Sequence, residues 1–335
     1  MPISMRTIGP FTVTAIGLGC MNLSHAYDVA PSAEDAARLL NHALDAGCTF
    51  LDTAALYGEG ANERLLAKAV MHRRQDFTLA SKCVLDLIDG KRVLDGRPEV
   101  IKASCDRSLQ RLGTDVIDLY YMHRLDKNVP IEESIGAMAD LVAAGKIRTI
   151  GLSEMSAATI ERAHAVHPIA AVQSEYSLGV RNPEVAVLDA CERLGIAFVA
   201  FSPLVRGMLA GAVTTDDYMA GDIRLSMPRF RDPQLAGNLA LVDRFKAIAE
   251  GARVTPAQLA LGWLLARKPY IIPIPGTRSI AHFDDDFAAA SLTIDSGSIA
   301  AADALFPANA LEGARYSAFA QSQIDTETLP GEALA

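Results

Sequence analysis

The stretch TFLDTAALYGEG at 49–60 brings two reactive side chains close together, the carboxyl group of Asp52 and the phenol of Tyr57. A phenol with an ordinary pKa of about 10 is a poor acid at neutral pH unless a neighbouring charge assists it. Lys82 and His123 each follow a later apolar run and carry suitable groups. An ammonium favours the phenolate and lowers its pKa, a carboxylate holds the ammonium, and a histidine can hydrogen-bond a substrate oxygen. These residue types suit proton donation to a carbonyl group.

Each of the four residues also has an ordinary structural explanation when it is taken alone. Asp52 could cap a turn, and Tyr57 could pack under a loop. Lys82 could be a solvated strand end, and His123 could be a satisfied histidine at the rim of a sheet. The functional interpretation is preferred because the predicted fold brings all four to one face. No HxH or HExxH pattern occurs, and no metal site is predicted.

The elements that must position these residues are apolar strand runs alternating with longer segments of helical periodicity. The runs are continuously apolar, whereas strands of an antiparallel sheet with one solvent-exposed face would alternate apolar and polar residues. Eight such units in about 300 residues predict one α/β domain over 1–335, a (β/α)₈ TIM barrel with extended loops at the carboxyl ends of its strands. A doubly wound open sheet is the alternative. Neither GLGCMN at 17–22 nor GEGANE at 58–63 completes the phosphate-binding pattern that such a sheet would carry.

Three segments depart from a minimal barrel. RTIGPFTV at 6–13 predicts a hairpin that covers the bottom of the barrel. The polar, Gly- and Pro-rich segment 211–238 is too long for a plain connection and is predicted to cover the cofactor and substrate. The segment 320–335 is predicted to be a loosely ordered tail.

Active sites of barrel enzymes lie at the carboxyl ends of the strands. Three neighbouring strands therefore deliver the carboxylate, lysine and histidine to one rim, and Tyr57 lies just past the first of them. The residues that end the predicted strands are Asp52, Lys82, His123, Ser153 with Glu154, Gln173 and Ser202.

Composition restricts the partners and the location. The chain of 335 residues is half hydrophobic and has a net charge of −9 without a long basic run, which argues against nucleic acid or an anionic membrane as partner. It shows neither a signal peptide nor a run of about 18 apolar residues. Five scattered cysteines without a CxxC pair predict reduced thiols and a cytoplasmic location. A monomer and a small homo-oligomer are both compatible with the helix patterns.

Eight stretches, taken in order along the chain, form a specific combination: GLGCMN (17–22), DTAALYG (52–58), LASK (79–82), DLYYMHR (118–124), GKIRTIGLSE (145–154), VQSEYSL (172–178), AFSPL (200–204) and IPIPGTRS (272–279). With them the sequence resembles the aldo-keto reductase superfamily over nearly its whole length, in the bacterial branch with a long loop after the seventh strand. The resemblance implies an NADP(H)-dependent carbonyl reductase in which Asp52, Tyr57, Lys82 and His123 form a catalytic tetrad and Tyr57 is the acid.

The resemblance also implies which residues bind the cofactor. Ser153, Glu154 and Gln173 would hold the nicotinamide carboxamide, and Phe201 would stack on its ring. The remaining implied contacts are Gly19, Met21 and Asp52 from the first strands, Ser202, Leu204 and Arg206 along the pyrophosphate, Gly276, Thr277 and Arg278 at the 2′-phosphate, and His282, Asp285 and Asp286 at the adenosine end.

The charges at the adenosine end bear on the choice of cofactor. Arg278 and a charged His282 favour a 2′-phosphate, whereas the two neighbouring aspartates, Asp285 and Asp286, would repel it. NADPH is therefore the expected cofactor, and NADH is the alternative.

The expected substrate is a small carbonyl compound, reduced to an alcohol by hydride from the nicotinamide and a proton from Tyr57. The segment 211–238 and the region around Tyr316 are expected to close the substrate pocket. Two alternatives remain: a dehydrogenase that mainly oxidises a sugar or secondary alcohol, and an NADPH-sensing binding subunit. The predicted pocket residues are Met21, His25, Tyr27, Tyr57 and His123.

Overall fold

The computed structural model describes residues 2–24, 26–27, 29–88 and 91–335. Strands alternate with helices along the described chain, as the periodicity predicts. The strands are β1 (Met5–Ile8), β2 (Phe11–Thr14), β3 (Leu18–Gly19), β4 (Phe50–Asp52), β5 (Thr78–Cys83), β6 (Leu85–Ile88), β7 (Lys91–Leu94), β8 (Ile117–Met122), β9 (Ile147–Ser153), β10 (Ile169–Glu175), β11 (Ala197–Phe201) and β12 (Ile271–Pro273). The α-helices are α1 (Ala33–Asp45), α2 (Ala61–Ala69), α3 (Pro98–Leu112), α4 (Ile131–Ala143), α5 (Ala157–Val166), α6 (Val187–Leu194), α7 (Gln234–Gly251), α8 (Pro256–Arg267), α9 (Ile280–Ala288), α10 (Ser296–Leu305) and α11 (Ala318–Ser322).

Eight of the strands form one parallel sheet in the order β3-β4-β5-β8-β9-β10-β11-β12. Backbone hydrogen bonds join its two ends, from Gly17 N to Pro273 O and from Gly19 N to Pro275 O, each 3.1 Å long. The approach at this seam is close, because a Cβ on Gly19 would lie 2.9 Å from Ile274 O. The sheet therefore closes on itself, which confirms the predicted (β/α)₈ barrel.

The predicted N-terminal hairpin is formed by β1 and β2, which pair in antiparallel register. Its inner side chains, Ile8 and Val13, are fully buried in the cluster of apolar residues that fills the barrel. The turn at Gly9 lies against Thr149 and Ala170, near the amino ends of β9 and β10. The hairpin therefore covers the end of the barrel opposite to the expected active site.

Side chains of the barrel strands alternate between the interior and the surrounding helices. In β4, Phe50 packs inside the barrel, and Leu51 packs in the large core between the sheet and the helices. The next residue, Asp52, faces inward again. The same alternation turns Lys82, two residues after the inward Ala80, toward the interior. Strand parity thus aims the polar side chains at the carboxyl rim into the barrel.

A second antiparallel hairpin, β6 with β7, lies between β5 and α3 and was not predicted from the sequence. The segment 211–238 contains two short 3₁₀ helices, Ile223–Ser226 and Pro228–Phe230, and then begins α7 at Gln234, earlier than the periodicity indicated. Its backbone is held to the loop after β3 by a hydrogen bond of 3.0 Å from Ile223 N to Ala26 O.

The C-terminal segment 320–335 differs from the expectation of a loosely ordered tail, because its polar groups are bonded to the barrel. Asp325 Oδ2 accepts hydrogen bonds from the hydroxyls of Ser156 at 2.9 Å and Thr159 at 2.7 Å. Asn182 Nδ2 donates to Glu332 Oε2 at 2.6 Å. Polar composition alone suggested disorder, but these groups are satisfied by partners distant in sequence. No helix among the described residues is long and apolar enough to span a membrane.

Candidate active site

The four residues singled out by their chemistry meet at the carboxyl rim of the barrel, and all are buried. Lys82 Nζ forms an ion pair with Asp52 Oδ1, donates a hydrogen bond of 2.9 Å to Thr53 O, and lies 3.2 Å from Tyr57 Oη. The rings of Tyr57 and His123 meet edge to face, with centroids 6.0 Å apart. The structure thus brings the predicted set together.

Burial and charge act in opposite directions on Tyr57. Burial raises the pKa of the phenol, while the Lys82 ammonium lowers it, and the net pKa lies above the ordinary value. Burial also lowers the pKa of Lys82, but Asp52 and Tyr57 outweigh that effect and leave the net pKa raised. Lys82 does lower the pKa of Tyr57, as expected from the sequence. The net pKa is nevertheless raised, because the effect of burial is larger. Tyr57 is a protonated phenol beside a stable cation.

His123 is uncharged at neutral pH. Burial and, next, the charges of Arg124, Lys82 and Arg92 hold its pKa well below the ordinary value. Within the described residues its Nδ1 atom is buried without a hydrogen-bond partner. A neutral imidazole retains one N–H donor, which can bond a carbonyl oxygen without adding charge to the site.

The carboxylate of Asp52 is held from two sides. One oxygen pairs with Lys82, and the other accepts a hydrogen bond of 2.8 Å from Gln173 Nε2. Gln173 lies on β10 and faces the interior because it has the same strand parity as Ala171. Lys82 and Gln173, from different strands, therefore fix the orientation of the Asp52 carboxylate. Gln173 has this structural role in addition to the contact with the cofactor that the resemblance implies.

A cavity of about 900 Å³ opens above these residues. Lys82 is not on its wall: the side chain is fully buried behind Asp52 and Tyr57, so it can act only through them. Residues of the segment 211–238 and of the region around Tyr316 also contribute to the wall. Predicted site residues on the wall are Gly19, Met21, Tyr27, Asp52, Tyr57, His123, Ser153, Gln173, Phe201, Ser202, Leu204, Arg206, Gly276, Thr277, Arg278, His282, Asp285 and Asp286.

The turn after β11 has an unusual backbone. Ser202, Val205 and Arg206 all have positive φ values, 49°, 48° and 53°. In the described part of the chain the N–H groups of Leu204 and Arg206 make no hydrogen bond, although both residues line the cavity. Free N–H groups in such a turn form an anion-binding concavity. The turn can therefore hold a phosphate group without a glycine-rich loop.

The side chain of Arg206 is already committed to other protein groups. It is 3.2 Å from Glu175 Oε2 and 3.2 Å from the hydroxyl of Tyr27. Burial would lower its pKa, but the Glu175 carboxylate prevails and the net pKa is raised. The guanidinium that the resemblance assigned to the pyrophosphate is thus a cation already paired with Glu175.

Glu154 is the predicted cofactor residue that the structure turns away from the cavity. Ser153 is the last residue of β9 and faces the interior, whereas Glu154 follows the strand with a φ of 53° and its carboxylate is buried behind the wall. There Glu154 Oε1 accepts a hydrogen bond of 2.7 Å from Glu175 N, and Oε2 lies 3.6 Å from Arg315. The implied contact with a carboxamide is not supported by this placement. Another predicted pocket residue, His25, lies outside the described residues.

Two aspartates at the far end of the cavity have different environments. Asp285 accepts hydrogen bonds from Thr255 Oγ1 at 2.8 Å and Gln258 Nε2 at 2.9 Å. Burial, followed by the charge of Asp285, raises the pKa of Asp286 to about 8. Asp286 is therefore mainly protonated at neutral pH. The sequence predicted that two negative charges would repel a phosphate here. With Asp286 protonated, only Asp285 is left to repel it.

Several wall residues were missed by sequence reasoning. Leu56 and Leu85 form an apolar cluster with Tyr57, and two cations, Arg92 and Arg124, line the same cavity. Arg124 follows His123 directly, and that position was a signal available in the sequence. Arg92 lies on the unpredicted hairpin and had no such signal. No group of three or more His, Cys, Asp or Glu side chains among the described residues could hold a metal ion.

Comparison with known proteins gives three findings. Residues 15–306 match the model of the Aldo/keto reductase family. The chain is 42% identical to "Aldo-keto reductase yakc [NADP(+)]" from Schizosaccharomyces pombe, over 98% of this chain and 99% of that protein. Among solved structures it is similar to a glycerol dehydrogenase from Gluconobacter oxydans, with a TM-score of 0.83 and 26% identity over 91% of this chain and 95% of that one. It is also similar to an aldo-keto reductase from Klebsiella pneumoniae in complex with NADPH, with a TM-score of 0.72 and 26% identity over 92% and 96% of the two chains.

Proposed function

The chain belongs to the aldo/keto reductase family, and on that premise we propose that it is an NADP(H)-dependent oxidoreductase that reduces an aldehyde or a ketone to an alcohol. The observation that carries the proposal is the contact of 3.2 Å between Lys82 Nζ and Tyr57 Oη at the base of the cavity. It joins a protonated phenol to a buried cation, which is the arrangement that proton donation requires.

The cavity suits a dinucleotide in size and in chemistry. It extends from Tyr57 to Asp286, and its wall includes Leu204 and Arg206, whose backbone N–H groups make no hydrogen bond among the described residues. Gly276 allows a close approach of backbone there, since a Cβ would lie 2.9 Å from Gly19 O. Phe201 offers an aromatic face and Arg278 a guanidinium on the same wall. We propose that these residues hold NADPH, as the NADP-dependent relative and the NADPH-bound neighbour also suggest.

When bound, NADPH supplies the hydride that is added to the carbonyl carbon. Tyr57 donates its phenolic proton to the carbonyl oxygen, and the O–H bond of the phenol breaks as the O–H bond of the alcohol forms. The Lys82 ammonium stabilises the phenolate that remains, and Asp52 keeps Lys82 charged and in position. Neutral His123 donates a hydrogen bond to the carbonyl oxygen and orients it. Solvent then returns a proton to Tyr57.

Steady-state turnover tests the proposal. The purified protein is mixed with NADPH and a panel of aldehydes and ketones, and the ultraviolet absorbance of NADPH is followed. Substrate-dependent oxidation is expected with at least one class of carbonyl compound. Tight binding of NADPH without any substrate-dependent oxidation would reject reduction and would favour the binding-subunit alternative.

The same residues also serve the reverse reaction. In that direction the phenolate of Tyr57, stabilised by Lys82, accepts the proton of an alcohol. Sugars and secondary alcohols offered with NADP⁺ provide the comparison. A larger kcat/KM for an alcohol than for every carbonyl compound would favour a dehydrogenase.

A further inference from the structure

Two arginines that the proposed proton transfer does not use line the cavity beside the reacting side chains. Arg124 follows His123 at the end of β8, and Arg92 lies on β7 of the second hairpin. The charges of both lower the pKa of His123, and Arg124 also lowers that of Tyr57. Their fields therefore reach the point where a carbonyl group would lie.

Neither cation has a carboxylate partner among the residues that the structure describes. Across the described ranges, no carboxylate oxygen lies within 4.0 Å of Arg92 or Arg124. Arg124 Nη1 donates to His123 O at 2.6 Å and Ser153 Oγ at 3.2 Å, both uncharged acceptors. By contrast, Arg206 on the same wall is paired with Glu175. An arginine guanidinium is well suited to bind a carboxylate or a phosphate through two parallel hydrogen bonds.

The two arginines also act on each other. The Arg92 side chain lines the cavity but remains exposed to solvent, so the lowering of its pKa by desolvation and by the charge of Arg124 is only partial. Two like charges on the wall of one cavity repel each other, and an anion bound between them or beside them relieves that repulsion. The backbone fixes the position of both arginines, because Arg124 directly follows His123 and Arg92 is part of the β6–β7 ladder.

The arginines lie across the barrel from the proposed phosphate contacts. In an eight-stranded barrel, strands four positions apart face each other. β8, which precedes Arg124, is four positions from β12, which precedes Arg278. β5, which precedes the hairpin of Arg92, is four positions from β11, which precedes the turn at Ser202–Gly207. The phosphates of the dinucleotide are therefore expected on the side of the cavity at the carboxyl ends of β11 and β12. The arginines lie on the other side, next to the space that the dinucleotide leaves for a substrate.

We propose that Arg92 and Arg124 select a carbonyl substrate that carries an anionic group, and that they bind this group while its carbonyl oxygen lies at Tyr57 and His123. This inference rests on the proposed function. Met21, Leu56 and Leu85 beside Tyr57 provide an apolar surface for the body of such a substrate. The anionic group is a carboxylate or a phosphate, since a guanidinium pair recognises the oxygens of both.

Matched pairs of aldehydes test the selection. 4-Carboxybenzaldehyde is compared with 4-formylbenzamide, which has the same shape without the charge, and glyceraldehyde 3-phosphate is compared with glyceraldehyde. We expect kcat/KM to be at least about tenfold higher for the charged member of one pair, and the preference to fall as salt is added. The pair that shows the preference identifies the anion as carboxylate or phosphate.

Substitutions assign the preference to the arginines. Arg92→Gln is expected to lower kcat/KM for the charged aldehyde by about tenfold, mainly through KM, and to leave the neutral aldehyde nearly unchanged. The matched control is Arg244→Gln, an exposed arginine on α7 outside the cavity, which removes the same charge without a selective effect. Arg124→Gln should act like Arg92→Gln, with an added effect on both aldehydes because Arg124 also contacts Ser153.

The outcomes separate this inference from the proposed function. Equal use of charged and neutral aldehydes, or a preference that persists in Arg92→Gln and Arg124→Gln, would overturn the selection while leaving reduction intact. No reduction of any of the four aldehydes, nor of the wider panel, would instead remove the proposed function. Retention of the neutral activity in Arg92→Gln shows that this variant is folded.

Discussion

Lys82 Nζ lies 3.2 Å from Tyr57 Oη, yet only Tyr57 reaches the cavity. The lysine is fully buried behind the phenol and is anchored by Asp52 and by Thr53 O. In the proposed reaction the cation would therefore act on the substrate only through Tyr57. Tyr57 would contact the substrate, and Lys82 would stabilise Tyr57 from behind. Substitutions at Tyr57 and in the Lys82–Asp52 pair are therefore expected to have different effects.

Tyr57→Phe removes the proton donor and keeps the ring. Turnover is expected to fall by at least about a hundredfold, because a positioned general acid contributes about 10²–10⁴ in rate. The dissociation constant for NADPH, measured by fluorescence titration, should change little. Tyr270→Phe is the matched control, since that hydroxyl bonds Leu188 O away from the cavity. Retained turnover in Tyr57→Phe would show that another group donates the proton.

Asp52→Asn leaves the buried ammonium of Lys82 without its negative partner. Breaking a buried ion pair on one side costs about 3–5 kcal/mol, so the free energy of unfolding should fall by roughly that amount in a urea titration. Asp243→Asn is the comparison, because Asp243 pairs with Lys246 on the protein surface, where such pairs contribute about 0–1 kcal/mol. Similar losses in the two variants would contradict a buried, charged Lys82.

His123 is expected to stay neutral throughout the physiological range. Burial holds its pKa well below the ordinary value, so no protonation of His123 should appear in kcat/KM near about pH 6.5. His123→Phe, which has no side-chain donor, should lower kcat/KM by about a hundredfold, as loss of an oxygen-orienting donor does, and leave the shape of the profile unchanged there. An inflection near that pH in the wild type that disappears in the variant would show that the histidine is charged in function.

Asp286 couples stability to pH. Its pKa is raised to about 8 in the folded protein, so the folded state binds a proton that the unfolded chain releases at lower pH. Stability should therefore fall as pH rises above about 4, the ordinary aspartate value, and level off above about 8. Asp286→Asn should raise the melting temperature at alkaline pH and have little effect near pH 4.

Asp284→Asn controls for the loss of a negative charge on the same helix, because Asp284 is exposed and pairs with His42. A gain of a few kcal/mol at alkaline pH is expected only for Asp286→Asn, since each pKa unit corresponds to about 1.4 kcal/mol. Equal gains in both variants would point to general charge repulsion in this acidic protein. No gain in either variant would contradict a protonated, buried Asp286.

Strand parity explains which predicted residues reached the site. Asp52, Gln173 and Ser153 are at inward positions, and the structure brings all three to the cavity wall. Strand parity does not extend to Glu154, because β9 ends at Ser153 and Glu154 has a φ of 53°. Its placement depends on contacts with Glu175 N and Arg315, which lie far away in the sequence. Arg206 could not be judged in the same way, because its partner Glu175 lies 31 residues earlier on another strand.

The sequence by itself determined the barrel, the N-terminal hairpin and the four residues at the base of the cavity. These follow from local periodicity and from residue types at strand ends, which depend on neighbours close along the chain. Only the tertiary structure decided the net charge states and the partners. The pKa of Tyr57 and of Asp286 depends on how fully each is buried. The pairing of Arg206 and the placement of Arg92 and Arg124 on the wall of one cavity depend on contacts between segments far apart in sequence. Burial and long-range pairing arise only when the barrel closes.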